Sequence, residues 1–456
     1  MVLDDKSPQM PAQAGLVTTE QGEARSRRHS EEASAAIHGN ERSGASGMME
    51  RALSRSNLTA ALKRVERNKG SAGVDGMTVD ELRGFLRREW PRIREDLLTG
   101  RYRPLPVKRV EIPKPDGGTR KLGVPSVVDR FIQQALLQVL QPMIDPTFSP
   151  NSYGFRPGRS AHQAILMAQR FVQEGRSIVV DVDLEKFFDR VNHDVLMGRL
   201  AKRIDDTRVL GLIRQFLEAG VMVLGVLEEG REGTPQGGPL SPLLANILLD
   251  EVDKELEHRG HAFVRYADDL NVYVRSKAAG GRVMRLLRHL FDGLRLRINE
   301  EKSAVADATT RTFLGFVLYR YRGEVKRAVA PKAMAKMKDR VRALTRRSGG
   351  KSLADVVDKL ALYLRGWRGY FRLAQSQRRL TDIDGWIRHR LRALKLKQWR
   401  RGTTAFREAL RMGANPDQAA QIASGLRRWW LNARMLANSI MPNRFFDELG
   451  LPRLGA

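Results

Sequence analysis

Apolar residues recur at helical spacing from Ser56 onward, at Leu58, Leu62 and Val65, and the run stops at Asn68-Lys69-Gly70. The loop Ala72-Gly73-Val74-Asp75-Gly76 leads to a second helical stripe containing Leu82, Phe85 and Leu86. The period then changes. Residues 107–112 and 119–124 read as strand arms around Pro115-Asp116-Gly117-Gly118, a strong turn signal. The pattern next predicts helix over 127–140, strand over 177–184, helix over 191–204, strand over 221–227 and a long apolar helix over 241–258. Residues 261–274 read as a hairpin whose arms enclose Ala267-Asp268-Asp269-Leu270. Beyond Pro331 the chain turns helical, over 332–346, 352–372 and 380–400. Residues 1–48 are rich in Ser, Ala, Gly, Glu and Arg and hold too few large apolar groups to offset the entropy of ordering, so they read as a disordered tail. The order is helices, then mixed α and β, then all helix, with a boundary near 325–335.

Charge narrows the picture. The chain carries 80 Lys+Arg against 52 Asp+Glu, a net +28. Residues 331–456 hold 28 Lys+Arg against 9 Asp+Glu, so +19 sits in the last quarter of the chain. Such a surplus is repulsive unless a polyanion neutralises it, which makes nucleic acid the first expected partner. The absence of cysteine excludes disulfides, thiolate zinc sites and cysteine nucleophiles. No run of eighteen or more apolar residues and no signal-peptide pattern appears, so a cytoplasmic protein with no membrane partner is expected.

Candidate chemistry lies in two acidic strands. Asp268-Asp269 falls at the predicted hairpin tip, where adjacent carboxylates repel each other unless a divalent cation lies between them. Alternation in Ile178-Val179-Val180-Asp181-Val182-Asp183-Leu184 puts Asp181 and Asp183 on one face of an apolar strand. Carboxylates from separate elements are what two-metal phosphoryl transfer requires. Lys114 and Arg120 straddle the Pro-Asp-Gly-Gly turn, a pair able to clamp a triphosphate or simply to be solvated.

Tyr266-Ala267-Asp268-Asp269 follows Asp183-Leu184-Glu185-Lys186-Phe187-Phe188-Asp189 and Thr234-Pro235-Gln236-Gly237-Gly238-Pro239-Leu240-Ser241-Pro242. In that order and spacing these stretches resemble the palm of reverse transcriptases. More narrowly, the chain resembles the reverse transcriptase/maturase encoded by bacterial group II introns. That match is carried by Asn68-Lys69-Gly70-Ser71-Ala72-Gly73-Val74-Asp75-Gly76, by Ile112-Pro113-Lys114-Pro115-Asp116-Gly117-Gly118-Thr119-Arg120 and by Ser152-Tyr153-Gly154-Phe155-Arg156-Pro157-Gly158-Arg159-Ser160. Leu296-Arg297-Ile298-Asn299-Glu300-Glu301-Lys302-Ser303, Phe313-Leu314-Gly315-Phe316 and Leu364-Arg365-Gly366-Trp367-Arg368-Gly369-Tyr370-Phe371 extend it. The resemblance covers about 55–456. It implies an α+β right-hand polymerase, with fingers and an antiparallel palm sheet over 49–330 and an all-helical thumb, maturase domain X, over 331–404. A short helical segment over 405–456 is a candidate DNA-binding remnant. Many relatives continue into a Cys-containing HNH endonuclease domain, and the chain is expected to lack that activity.

Carried over residue by residue, the resemblance makes Asp183, Asp268 and Asp269 the catalytic carboxylates and ligands of two Mg²⁺ ions, with the Leu184 carbonyl completing one ion's shell. Asp183 is preferred over Asp181 because Phe187-Phe188 follows it at the family's spacing. Lys114, Arg120, Phe188, Gln236 and Lys302 take the dNTP, the Phe188 ring excluding a ribose 2′-hydroxyl. Arg156, Arg159, Phe313 and Gly315 fall to template and primer. Arg365, Arg368, Arg372, Arg388, Arg390, Arg392, Lys395 and Lys397 form the RNA-binding face of the thumb, while Trp367, Tyr370, Phe371, Trp386 and Trp399 mostly fill its core. The implied function is copying RNA into cDNA, with assistance to intron splicing and mobility. The implied partners are intron RNA, an RNA template with a DNA primer, dNTPs and target DNA. A domesticated relative serving DNA repair or phage defence, and a non-catalytic splicing factor, are the alternatives.

Overall fold

The computed structural model describes residues 47–455 apart from 114–118, 224–225, 229–232 and 235–236, and the side chains of these residues except at 120, 226–228, 437 and 438. Three helices open this region: α1 (Met48–Ala52), α2 (Arg55–Asn68) and α3 (Val79–Leu98). Strands β1 (Val107–Pro113) and β2 (Thr119–Val124) precede α4 (Val127–Ile144) and α5 (Ala161–Gln173). Strand β3 (Ile178–Val182), α6 (His193–Ala201), α7 (Thr207–Glu218), β4 (Val221–Val223) and β5 (Val226–Glu228) follow. Then come α8 (Ser241–His258), β6 (Ala262–Tyr266), β7 (Asp269–Val274) and α9 (Lys277–Gly293). Four more strands, β8 (Ala304–Asp307), β9 (Thr312–Phe313), β10 (Phe316–Tyr321) and β11 (Glu324–Val329), lead to α10 (Pro331–Leu344), α11 (Leu353–Tyr370) and α12 (Gln377–Trp399). The last helices are α13 (Gly402–Arg411), α14 (Pro416–Ser424), α15 (Trp429–Asn438) and α16 (Asn443–Glu448).

The architecture is mixed α and β, as the residue pattern predicts. An antiparallel sheet in the order β6-β7-β3-β8 lies between two apolar cores. Ile178, Val180 and Val182 of β3 point into the first, with α2 to α4 and α6 to α9, while Val179 enters the second together with Val264 and Tyr273. Burial on both faces is why β3 reads as an unbroken apolar run up to its acids. The second core continues through α5 and β10 into all the helices after Pro331, so residues 405–455 share packing with α11 and α12.

Several expectations need adjusting. Met48, placed at the end of the tail, begins α1 and is 4% exposed, and Met49 beside it is 1% exposed. The rest of that tail, up to residue 46, lies outside the described residues. The strand expected over 221–227 is a short hairpin of β4 and β5, and β4 pairs in parallel with β1 to give a second sheet, β2-β1-β4-β5. Strands β8 to β11 were not foreseen: β8 and β9 are only four and two residues long and β11 mixes charged with apolar residues, although β10 carries the apolar run Phe316-Val317-Leu318-Tyr319.

Candidate active site

The acidic hairpin is tighter than its sequence suggests. Tyr266 pairs with Asp269, so Ala267 and Asp268 alone form the turn. Ala267 sits at φ 59, in the left-handed region that a residue with a Cβ adopts at a cost. Neighbouring atoms hold it there. Arg265, 1% exposed, donates from Nη1 to the Ala267 carbonyl at 2.9 Å and to Asn246 Oδ1 at 2.9 Å. Its Nε reaches Asp253 Oδ1 at 2.8 Å and its Nη2 reaches Oδ2 at 2.5 Å. Asn246 in turn donates to the Gly154 carbonyl at 2.9 Å. Gly154 lies so close beneath the turn that a Cβ there would stand 2.2 Å from the Ala267 nitrogen. These residues were not anticipated. Their signal was present: Asn246, Asp250, Asp253 and Glu257 form a polar stripe at helical spacing on α8, and Asn246, Asp250 and Asp253 are buried among its apolar residues.

Register places the carboxylates together. β3 and β7 pair Val182 with Leu270 and Asp181 with Asn271, so Asp183, one residue past β3, comes opposite Asp269. Cross-strand partners share a face, which sets Asp181, Asp183 and Asp269 on one side of the sheet. Burial, followed by the charges of Asp268, Asp183 and Asp181, pushes the Asp269 carboxyl up to about 7, with Lys302 opposing. Asp181 is not a solvated strand end. Arg311 Nε donates to its Oδ2 at 2.7 Å, and burial outweighs this partner to raise its carboxyl. Asp183 is more open, with 38% of its side chain exposed and Lys302 Nζ 3.8 Å from Oδ1. This difference favours Asp183 over Asp181 as the available ligand. Among the described residues no three metal-type side chains have closed into a preassembled cluster.

Leu184 faces Ile298 in an antiparallel bridge, with hydrogen bonds from Glu185 N to Arg297 O and from Asn299 N to Asp183 O on either side. In that pairing the Leu184 carbonyl turns away from the 298 segment. Phe188 is half-buried, edge-on to Phe187 at 5.1 Å, and its carbonyl accepts from Thr234 N at 2.7 Å. Gly233 passes so near that a Cβ would stand 3.1 Å from Asp189 O. A Cβ on Gly237, at φ 142, would lie 2.6 Å from Gly123 O at the base of the β1–β2 hairpin. Gly233 thus lies against the Phe188 and Asp189 carbonyls, and Gly237 against that hairpin. Lys114 and Gln236 lie outside the described residues, and of Arg120 only the backbone is described, in β2.

Other residues expected at the template and primer take different positions. Arg156 is buried, donating to Asp145 Oδ1 at 2.9 Å and to the carbonyls of Ser149, Ser152 and Asp145. Its donors are consumed holding the loop before α5, so it is not a template contact. Arg159 lies over the Tyr153 ring at 5.5 Å and stays half-exposed. Phe313 is buried rather than presented to a primer. Leu314 and Gly315, at φ 49 and 78, make the β9–β10 turn, whose Leu314 carbonyl accepts from Tyr370 Oη at 3.0 Å.

The expected basic face also divides. Arg365 and Arg372 are exposed, and Arg368, Lys395 and Lys397 half-buried, Lys397 over the Trp429 ring. Arg390 donates to Thr345 Oγ1 at 2.8 Å and lies over Trp386. Arg388 and Arg392 are 1% and 4% exposed and belong to the interior. Arg388 bonds Asp447 and Asp384, and Arg392 bonds Met441 O at 2.8 Å and Asn443 Oδ1 at 2.8 Å. Burial, then the Arg388 charge, pulls the Arg392 guanidinium down to about 10. Both tie α12 to the segment around α16 instead of facing RNA.

Comparison with known proteins defines the class. Residues 112–318 match the family model for reverse transcriptase (RNA-dependent DNA polymerase), and residues 334–413 match that for the group II intron maturase-specific domain. Protein YkfC of Escherichia coli (strain K12) is 35% identical over 291 residues, spanning 55% of this chain and 76% of YkfC. Group II intron-encoded protein LtrA of Lactococcus lactis subsp. cremoris is 38% identical over 195 residues, spanning 42% of this chain but only 32% of LtrA. The putative COX1/OXI3 intron 1 protein of Saccharomyces cerevisiae is 28% identical over 316 residues, 57% of this chain and 38% of that protein. The chain belongs to the group II intron reverse transcriptase/maturase family, and as an enzyme it is an RNA-directed DNA polymerase. Among the described residues no helix is long and apolar enough to cross a membrane.

Proposed function

We propose that the chain extends a primer on an RNA template at the face formed by Asp183, Asp268 and Asp269, with residues 49–330 as fingers and palm and 331–404 as thumb and maturase domain. The observation that carries this reading is the β3–β7 register, which sets Asp183 against Asp269 at the end of a strained turn. The donor set fits hard divalent cations: carboxylates that repel one another, and a backbone carbonyl at Leu184. Two Mg²⁺ ions bound there supply activation of the primer 3′-hydroxyl and neutralisation of the pyrophosphate leaving group. Asp183 and Asp268 would hold the ions, and Asp269 would play a lesser electrostatic part. Lys302, beside Asp183, offers its ammonium to a phosphate of the incoming nucleotide. The Phe188 ring occupies the space a 2′-hydroxyl would need. Arg120, Lys114 and Gln236 are assigned to the same nucleotide.

The group II maturase-specific match at 334–413 supports a second role for the helical half, in binding intron RNA and promoting its splicing, with mobility into a DNA target as the sequel. The polymerase assignment is tested by Asp268→Asn in primer extension on poly(rA)/oligo(dT). Synthesis should fall at least about a thousandfold, some 4 kcal/mol of transition-state stabilisation. Asp181→Asn should fall no more than about tenfold, because Arg311 already engages that carboxylate. Near-normal extension by Asp268→Asn would overturn the assignment, and equal losses would move the ligand role to Asp181.

A further inference from the structure

Between α12 and α15 lies an open groove of about 450 Å³, lined by Gly385, Trp386, His389, Trp430, Leu431 and Arg434. Helix α15 begins with two tryptophans that it treats differently. Trp429 is half-buried, with Lys397 Nζ 4.7 Å and the Arg347 guanidinium 5.3 Å from its ring centroid. Trp430 is 48% exposed and Leu431 60%. The Trp430 ring meets His389 nearly perpendicular, at 4.1 Å between centroids, so the imidazole props it at the groove wall. Burial, with Arg392 and Arg434 nearby, holds that imidazole below its ordinary range, although a backbone bond to Trp430 opposes this. Arg342, paired with Asp339, and Arg390 stand 5.7 and 5.4 Å from the Trp386 ring.

A large indole left exposed is the kind of surface that marks a binding site. An apolar protein helix is a poor match for this one, because the Arg434 guanidinium lines it and two more, Arg342 and Arg390, lie against the Trp386 ring. None of the six lining residues is acidic, so nothing in the wall repels an anion. Flat rings beside cations complement one chemistry well: a nucleobase, which offers a π-face, joined to phosphates that carry the charge. We propose that this groove holds an unpaired base of single-stranded RNA stacked on Trp430, with Arg434 taking a flanking phosphate. The inference borrows from the proposed function only the identity of the polymer. Stacking recognises any base, so the groove adds affinity for looped or unpaired segments without sequence preference.

The test uses the full chain and a labelled oligouridylate of about twelve nucleotides, a length within the range such sites cover. Trp430→Ala should weaken binding about tenfold, with the slope of log K against log salt unchanged, since every phosphate keeps its cation. Trp430→Phe should retain most of the affinity. An oligomer of the same length with abasic riboses should bind the wild type about as weakly as Trp430→Ala binds the intact one. Arg434→Ala should instead lower the salt slope by about 0.7. Primer extension on preformed poly(rA)/oligo(dT) should be unaffected by Trp430→Ala. If Trp430→Ala binds the oligomer as the wild type does, or loses equal affinity for the abasic version, the groove is not a base site. If the variant instead converts a dimer to a monomer in sedimentation with RNA binding intact, the groove seats a second copy and the proposal fails. Absence of salt-dependent RNA binding by the wild type would sink the RNA-binding reading itself, a result distinct from either of these.

Discussion

Arg265 and Asp253 form a wholly buried ion pair directly beneath the acidic hairpin, the two side chains 2% and 0% exposed and 2.5 Å apart. A buried pair of this kind is weak evidence for net stability, because both ions lose their hydration. Its geometry suggests positioning. The same guanidinium holds the Ala267 carbonyl, and Ala267 is the left-handed residue that brings Asp268 to the tip of the turn.

The two contributions can be separated. Arg265→Met leaves Asp253 charged and unpaired in the interior, and should destabilise the protein by about 3–5 kcal/mol in urea unfolding. Adding Asp253→Leu removes the stranded charge and should restore most of that loss. Primer extension should stay low in the double variant, because the Ala267 carbonyl still has no donor. Recovery of activity in step with stability would show that the pair only supports the fold.

Phe188→Ala should admit ribonucleotides. The ring is half-buried and rests edge-on against Phe187, so truncation opens space next to the nucleotide sugar while Phe187 keeps the core closed. The ratio of rNTP to dNTP incorporation should rise by about tenfold or more, a change of roughly 1–3 kcal/mol in discrimination. An unchanged ratio would make Phe188 a packing residue.

Long periodic segments were the legible part of this fold. The residue pattern predicts α8 over 241–258, which is where it lies, and α10, α11 and α12 to within a few residues, while α13 to α16 were left as one undivided helical segment. The placement of Asp183 at the end of an apolar strand and of Asp268 and Asp269 at a hairpin tip was legible from the apolar alternation around them. What the pattern missed depends on tertiary partners. Arg388 and Arg392 look like surface cations on a basic helix, and only the return of Asp447, Met441 and Asn443 over α12 makes them interior. Arg156 misled in the same way, since the loop carbonyls that consume its donors come from backbone that carries no residue-type signal.

Acidity should couple to stability through Asp269. Its folded-state carboxyl is raised to about 7 from an ordinary value of 3.8, so folding disfavours its ionised form. The metal-free protein should therefore lose stability as pH rises from about 4 to about 7 and level off above that. Asp269→Asn removes the charge. It should raise the melting temperature at pH 8 in chelator by about 2 °C, a modest gain because solvent reaches the carboxylate, and should give little at pH 5. Added Mg²⁺ should stabilise the wild type more than the variant. A gain at pH 5 as large as that at pH 8 would mean that the substitution acts through packing instead of charge.

The basic helical half should bind intron RNA through its exposed cations only. Arg365, Arg372, Arg378 and Arg379 are exposed, whereas Arg388 and Arg392 hold the C-terminal segment from inside. Replacing Arg388 by Glu would set a third carboxylate against Asp384 and Asp447 and disrupt packing, so any loss of splicing would say nothing about RNA. The informative variant reverses Arg365, Arg372, Arg378 and Arg379 to Glu. Its melting temperature should stay within about 2 °C of the wild type, since exposed charges contribute little to stability. For every RNA phosphate deprived of its cation, the slope of log K against log salt should flatten by about 0.7–0.9, and splicing of the cognate intron should fail at moderate salt. The Asp268→Asn/Asp269→Asn variant supplies the converse: no DNA synthesis, with splicing intact. If the four-arginine variant splices normally and keeps its salt slope, the exposed face of α11 and α12 is not where the intron binds, and the maturase role must rest on other surfaces.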